Sequence, residues 1–400
     1  KILRYRKVKQ KKQEYYQVIL SETPFYGEMG GQVGDRGVLV APDGSVTEIY
    51  DTKRENGINV HLLKQLPADV SLTYKAVVDG DVRMAISCNH TATHLLHEAL
   101  REVLGTHVEQ RGSFVSPDVL RFDFSHFQKL TLEEISAVEH LANSRVRQAI
   151  SLDEHRHLPI AEARNMGAMA LFGEKYGDDV RVVRYGSSVE LCGGTHVANT
   201  GNIGMIKIMS ESSVAAGIRR IEAITGLNTE LEFEKHQGIM REIAAMFNNV
   251  PNLVGALRHA VEENAELKKQ AEEFFQERVS NMANELLGKA RSINGITVVE
   301  QTGLRMPDVV KNLAFKIREK SPEHTVFVGA TYDPTNKPLL TVMVSEDLVK
   351  EGMNASVTVR EAAKLIQGGG GGQPGFAQAG GKNKDSIANA FDKMKQILGI

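Results

Sequence analysis

The chain has only two cysteines in 400 residues, Cys88 and Cys192, too few for a disulfide framework. No stretch approaches the roughly 18 consecutive apolar residues of a membrane-spanning helix, and no secretory leader opens the chain. These absences read as a cytoplasmic protein with no membrane partner. Net charge is scarce too: 48 Lys+Arg oppose 50 Asp+Glu, leaving −2, so overall charge does not announce a nucleic-acid binder. The start is an exception, since Lys1, Arg4, Arg6, Lys7, Lys9, Lys11 and Lys12 occur with no acid among them. Such a run reads as a solvated edge that can lie beside phosphates. The first residue is Lys rather than Met, which reads as a piece of something longer.

What is present exceeds one core. Four hundred residues at 42% hydrophobic content imply two or three domains, and four sections emerge along an α+β multidomain chain. Residues 1–88 carry short apolar runs at 16–20, 37–40 and 71–78 between Gly, Pro and Asp turns, the pattern of a small β-barrel. Residues 89–226 mix helices and strands as an α/β core. Residues 227–292 are helical and charged. There Leu253, Leu257, Ala260, Asn264, Leu267, Ala271 and Phe274 alternate spacings of three and four, a coiled-coil seam. The break at Val250-Pro251 predicts a long helical hairpin. Residues 293–400 read as a separate α/β module, with strands near 296–300, 325–330 and 339–344 and helices near 307–320, 355–367 and 384–398.

Two short motifs carry the chemistry. The first is Asn89-His90-Thr91-Ala92-Thr93-His94, and the second is Leu191-Cys192-Gly193-Gly194-Thr195-His196. Positions i and i+4 share a helix face, so His90 and His94 can aim two imidazole nitrogens at one ion. Cys192 and His196 flank two glycines suited to a tight loop. One sulfur and three nitrogens suit tetrahedral zinc, one ion per chain. His97, at i+3 from His94, reads as a packing residue or a neighbour that orients a ligand. Cys88 reads as a buried structural thiol, and Asn89 as the cap of the helix that carries the histidines. A zinc protease would want HExxH, but Thr91 stands where that glutamate belongs.

A glycine-rich stretch, Gly368-Gly369-Gly370-Gly371-Gly372-Gln373-Pro374-Gly375, lies inside the last section and continues to Gly380-Gly381-Lys382. It lacks the serines of a flexible linker. Its exposed amides predict a phosphate-contacting loop, with Gly370, Lys382 and Lys384 as contacts.

The ordered set Thr23-Pro24-Phe25-Tyr26, Gly30-Gly31-Gln32-Val33-Gly34-Asp35, His90 to His94, Cys192 to His196 and the late glycine-rich stretch resembles the C-terminal half of alanyl-tRNA synthetase. The resemblance covers nearly the entire chain and implies an editing region, a helical hairpin and a C-terminal RNA-binding module. No stretch resembles the class II aminoacylation motifs, so the half that joins alanine to tRNA is expected to lie outside this chain.

The chemistry so implied is proofreading. A pocket sized for alanine rejects glycine or serine by only about 1–3 kcal/mol, so a second hydrolytic site is needed. The resemblance implies zinc-dependent hydrolysis of the ester in Ser-tRNA(Ala) and Gly-tRNA(Ala). It assigns Thr93 and Gln110 to substrate discrimination as catalytic residues, and His90, His94, Cys192 and His196 to the metal. Four permanent protein ligands, however, leave no evident open position for a catalytic water. Arg219 or Arg220 is expected on the tRNA acceptor strand, with an Arg–Glu222 surface pair as the plain alternative. Gly30, Gly31 and Gln32 can bring amides to the ester or simply form a turn. Two other readings remain at this level: a free-standing, long-form alanyl-tRNA deacylase, and a tRNA-binding module with structural zinc. A homodimer through the hairpin or the last module is also compatible.

Overall fold

The computed structural model describes residues 1–10, 13–169, 177–304, 306–333 and 335–400. Contacts divide the chain into two units, Lys1–Met246 and Phe247–Ile400, and the whole is mixed α+β.

The first unit opens with seven strands: β1 (Ile2–Gln10), β2 (Gln13–Leu20), β3 (Gly37–Val40), β4 (Val46–Ile49), β5 (Asp51–Glu55), β6 (Ile58–Leu63) and β7 (Lys75–Val78). They form two antiparallel sheets, ordered β1-β2-β6-β5 and β4-β3-β7. Val18, Phe25, Leu39, Ile49 and Leu63 make the apolar core of this region. The basic start is a strand, and it lies at a sheet edge, where exposed Lys7 and Lys9 meet Glu14. Charged edges resist pairing with other chains. Lys11 and Lys12 lie outside the described residues.

Next comes α1 (Gly80–Leu104), capped by the Asp79 side chain on the Val82 amide. The expected cap at Asn89 is therefore corrected: the run Val82 to Ser87 is already helical, and Asn89 sits mid-helix. Its buried amide donates to the Ser116 carbonyl at 2.8 Å and its Oδ1 accepts from Thr225 at 2.7 Å. Then follow β8 (Gln110–Val115), β9 (Leu120–Ser125), α2 (Leu132–Arg147), β10 (Asp153–Pro159), α3 (Ile160–Asn165), β11 (Asp179–Tyr185), β12 (Ser188–Leu191), β13 (Ile206–Ala215), β14 (Ile218–Thr225) and α4 (Leu227–Met246). In β9 the alternation is strict: Leu120, Phe122 and Phe124 face inward while Arg121 and Asp123 face out. That inner face of the β13-β14-β9-β8 sheet covers α1, whose other flanks meet α2 and β12. Enclosure on several sides explains why α1 is buried from Ile86 through His97. Cys88 is within this core, its Sγ 3.4 Å from the Asn202 carbonyl, and burial pushes its thiol up to about 11.

The second unit begins with α5 (Leu253–Gly288), capped by Asn252. Leu257, Leu267 and Phe274 of the expected seam are exposed, whereas Val279 and Ala283 near the helix end are buried. Then come β15 (Arg291–Ile293), β16 (Ile296–Thr302), α6 (Pro307–Lys320), β17 (Thr325–Tyr332), β18 (Pro338–Val344), α7 (Glu346–Lys350), α8 (Ala355–Ala363), β19 (Gly369–Gln373), β20 (Phe376–Gly380) and α9 (Ile387–Leu398). The sheet order is β15-β16-β17-β18-β20-β19, with β16 and β17 parallel. Helices α8 and α9 cover one face, while α6 and the end of α5 cover the other. A sheet buried on both faces explains why β17 is buried from Thr325 through Thr331, without polar–apolar alternation. The glycine run corrects the expected loop: it is the edge strand β19, paired along its length with β20.

Candidate metal centre

The first unit brings the two motifs together. The candidate ligand atoms of His90, His94, Cys192 and His196 lie within 4.8 Å of one another. Cys192 Sγ is 3.3 Å from His90 Nε2 and 3.2 Å from His196 Nε2. The donors fit a zinc ion by chemistry and by state. Burial, then neighbouring imidazole and Arg181 charge, pushes His90 and His196 well below the usual histidine range. Burial likewise lowers His94, against the pull of Glu190. Neutral imidazoles are what a metal requires. Among the described residues, the buried Nδ1 of His94 also has no hydrogen-bond partner, an unsatisfied acceptor of the kind a cation completes.

Residues brought from afar orient these rings. Gln32 is fully buried; its Oε1 accepts from His90 Nδ1 at 2.7 Å and from the Thr195 amide at 2.9 Å. A proton on Nδ1 leaves Nε2 as the lone-pair nitrogen facing the sulfur. The Gln32 carboxamide is thus committed to the ligand cluster rather than offered to an ester. Gly31 brings it there: its φ is +83°, and a Cβ would lie 2.4 Å from the Ser113 carbonyl oxygen. Thr91 Oγ1 sits 3.1 Å from His196 Nδ1, doing for that ring what Gln32 does for His90. Gly194 is tighter still, because a Cβ would stand 2.0 Å from His90 Cε1.

Sequence reasoning missed two more residues. Arg181 donates through Nη1 to the carbonyls of Cys192 at 2.9 Å and Gly194 at 2.6 Å, and through Nε to Glu154 at 2.6 Å. It clamps the ligand loop by its backbone. Glu190 lies buried on β12, accepting from His97 Nδ1 at 3.0 Å, with its other oxygen 3.6 Å from His94 Nε2. Burial disfavours its charge, but His94, His97 and Arg101 outweigh burial and hold the carboxyl below its usual range. No local sequence signal marks either: α1 buries His94 and His97 among several polar groups that demand partners, but only the fold shows that Glu190 is one of those partners.

The cluster opens onto a cavity of about 300 Å³, lined by Tyr26, Met29, Gly30, Thr93, Gln110, Ser113 and Glu190 together with three of the four donors. Thr93 Oγ1 donates to the Asn89 carbonyl at 2.9 Å, and Gln110 Nε2 reaches Ser113 Oγ at 3.3 Å. Arg219 and Arg220 are not free cations. Arg219 pairs with Glu211 and Arg220 makes a two-pronged pair with Asp123 at 2.6 and 2.7 Å, while Glu222 meets Ser210. In the second unit, Lys382 and Lys337 flank a shallow hollow bordered by Gly368, Gly369 and Gly381.

The chain is similar to known proteins. The model described as "Threonyl and Alanyl tRNA synthetase second additional domain" matches residues 180–222, the stretch holding Cys192, His196, Arg181 and Glu190. The DHHA1 domain matches 294–399, and tRNA synthetases class II (A) match 3–83. The alanine–tRNA ligase of Parabacteroides distasonis is 54% identical over 399 residues, 100% of this chain and 46% of that protein. That of Bacteroides fragilis is 56% identical over 400 residues, again 100% and 46%. The chain therefore spans a little under half the length of these curated relatives. Among solved structures, the C-Ala domain of Aquifex aeolicus alanyl-tRNA synthetase is 28% identical over 28% of this chain and 98% of that one, with a TM-score of 0.25.

Proposed function

Since the chain belongs to the alanine–tRNA ligase family, we propose that its own chemistry is proofreading: hydrolysis of the ester in Ser-tRNA(Ala) and Gly-tRNA(Ala), with Ala-tRNA(Ala) spared. The observation that carries this reading is the convergence of His90, His94, Cys192 and His196, three of which line a cavity that also holds Thr93 and Gln110. We assign the four donors to one zinc ion, which, with all four bound, would tie the Cys192–His196 loop to α1 and would offer its positive charge to position the ester beside it.

The protein's own groups then select the substrate. Thr93 gives its hydroxyl proton to the Asn89 carbonyl, so its oxygen faces the cavity as an acceptor. A serine hydroxyl satisfies that acceptor, and glycine leaves room for water to do so. The methyl of alanine removes the water and offers nothing back, which costs about 1–3 kcal/mol. Gln110 supplies a second polar edge to the same space.

Weak grip on the rest of the tRNA is assigned to the second unit, where Lys382 and Gly369 of β19 border the hollow described above, with Gly370 next along the same strand. Two linked contacts raise effective concentration without new chemistry. Arg219 or Arg220 joins them only by exchanging a carboxylate for a phosphate. Among the described residues no helix is long and apolar enough to cross a membrane, which is compatible with work beside tRNA in the cytoplasm.

The test is deacylation. The zinc-loaded chain is incubated with Ser-tRNA(Ala) and Ala-tRNA(Ala), beside a Cys192→Ala variant. Selective release of serine by the wild type alone, with zinc lost from the variant, supports the reading. Zinc and tRNA bound without any ester hydrolysis would replace it with a tRNA-binding module whose zinc is structural.

A further inference from the structure

Three imidazoles surround the proposed ion, and two have their orienting partner already: Gln32 for His90 and Thr91 for His196. The third, His94, faces Glu190. This carboxylate comes from β12, a strand buried at every position. One of its oxygens accepts from His97 Nδ1 at 3.0 Å and the other lies 3.6 Å from His94 Nε2. His94 and His97 are neighbours on one face of α1, and His97 is itself held against the Phe122 ring, centroids 5.1 Å apart. A buried carboxylate is costly unless positive charge stands near it; Arg101 supplies some, and a bound ion would supply more. A divalent ion with one thiolate and neutral imidazoles carries a net single positive charge. Glu190 places one negative charge directly behind a ligand of that ion.

We propose that Glu190, anchored by His97, is the positioning residue for the His94 ligand, and that this pair sets how tightly the site holds its metal. The inference rests on the metal reading above. Metal-binding histidines lean on a carboxylate or carbonyl behind the ring, and loss of that support weakens binding by about 10–100-fold. Glu190 also borders the cavity, where a carboxylate can instead receive the α-ammonium of an aminoacyl ester. Both of its oxygens, however, already face imidazoles, which favours the positioning role.

The experiment strips the full chain of metal and titrates zinc back against a chromophoric chelator. It compares wild type with Glu190→Gln, His97→Leu and His97→Asn, and records the absorption spectrum of each cobalt-loaded form. Circular dichroism of the metal-free forms checks the fold, and if Glu190→Gln does not fold, the two His97 variants decide the matter. Zinc affinity should fall at least about tenfold in Glu190→Gln and His97→Leu. It should recover in His97→Asn, whose amide donates from near the Nδ1 position, and the cobalt bands should shift in the weakened forms. Affinity unchanged within twofold across the series overturns the inference while leaving the metal site standing. A raised KM for Ser-tRNA(Ala) with unchanged zinc affinity also overturns it, in favour of ammonium recognition. A wild type that binds no zinc removes the metal reading itself, and this inference with it.

Discussion

Two glycine-rich stretches, Gly193-Gly194 in the first unit and Gly368 to Gly372 in the second, obey the same steric rule with different neighbours. At Gly194 a Cβ would stand 2.0 Å from His90 Cε1 and 2.7 Å from Gln32 Oε1, so the missing side chain makes room for an imidazole of the candidate metal centre and its orienting partner. At Gly370 it would stand 2.3 Å from the Gln378 carbonyl oxygen and 2.5 Å from Ala379 Cα, and at Gly372 2.3 Å from the Phe376 carbonyl oxygen. There the missing side chain makes room for the backbone of the next strand. Glycine reports close approach; only the fold reveals what approaches.

Substitutions by alanine break this comparison apart. Gly194→Ala has the largest expected effect, because His90 must swing away from the sulfur it faces. A displacement of that size costs about 100-fold in rate, so release of serine from Ser-tRNA(Ala) should fall that far and zinc content should drop with it. Arg181→Met comes next, since it frees the two loop carbonyls without pushing on a ligand. Zinc affinity should weaken by about tenfold, read by chelator competition, and the melting temperature should fall modestly. Gly370→Ala acts on stability alone. Pushing β19 off β20 should cost about 1–3 kcal/mol, seen as a lower unfolding midpoint for the second unit, with serine release kept within twofold. Loss of hydrolysis in Gly370→Ala would show that the two stretches share a task.

The same contrast explains what could be read before the fold was known. His90, His94, Cys192 and His196 declare themselves because their spacing and their chemistry agree. The elements of the second unit declare themselves by period: β17 and β18 as short apolar runs, α6 and α9 as amphipathic helices. Gln32 does not, because its carboxamide reaches His90 across 58 positions and Thr195 across 163, and no local pattern marks such a contact. Arg181 and Glu190 are hidden likewise, each being one charged residue in a strand until tertiary packing buries it. The run Gly368 to Gly372 misleads for a further reason: with no side chains it shows neither period, and the phosphate-loop reading rests on composition alone. Its strand character comes entirely from pairing with β20.

The smallest effect should come from Gly369→Ala, and it sharpens the comparison most. Gly369 lies one residue from Gly370 in β19, yet a Cβ there would meet nothing within 4 Å. In a pleated strand, neighbours point to opposite sides, so the two positions sample the open and the crowded faces of one edge. Alanine on the open face should leave the unfolding midpoint unchanged or raise it, by up to about 1 kcal/mol through the reduced freedom of the unfolded chain. Gly371→Ala should fall between Gly369→Ala and Gly370→Ala, because its nearest contact is the far end of the Arg360 side chain at 3.2 Å, which can turn aside. Thermal melts of the three variants therefore read the strand directly. A graded order, with Gly370→Ala lowest and Gly369→Ala highest, is the signature of a paired edge strand. Equal and negligible effects at all three would return the stretch to an open loop, and its amides to phosphate.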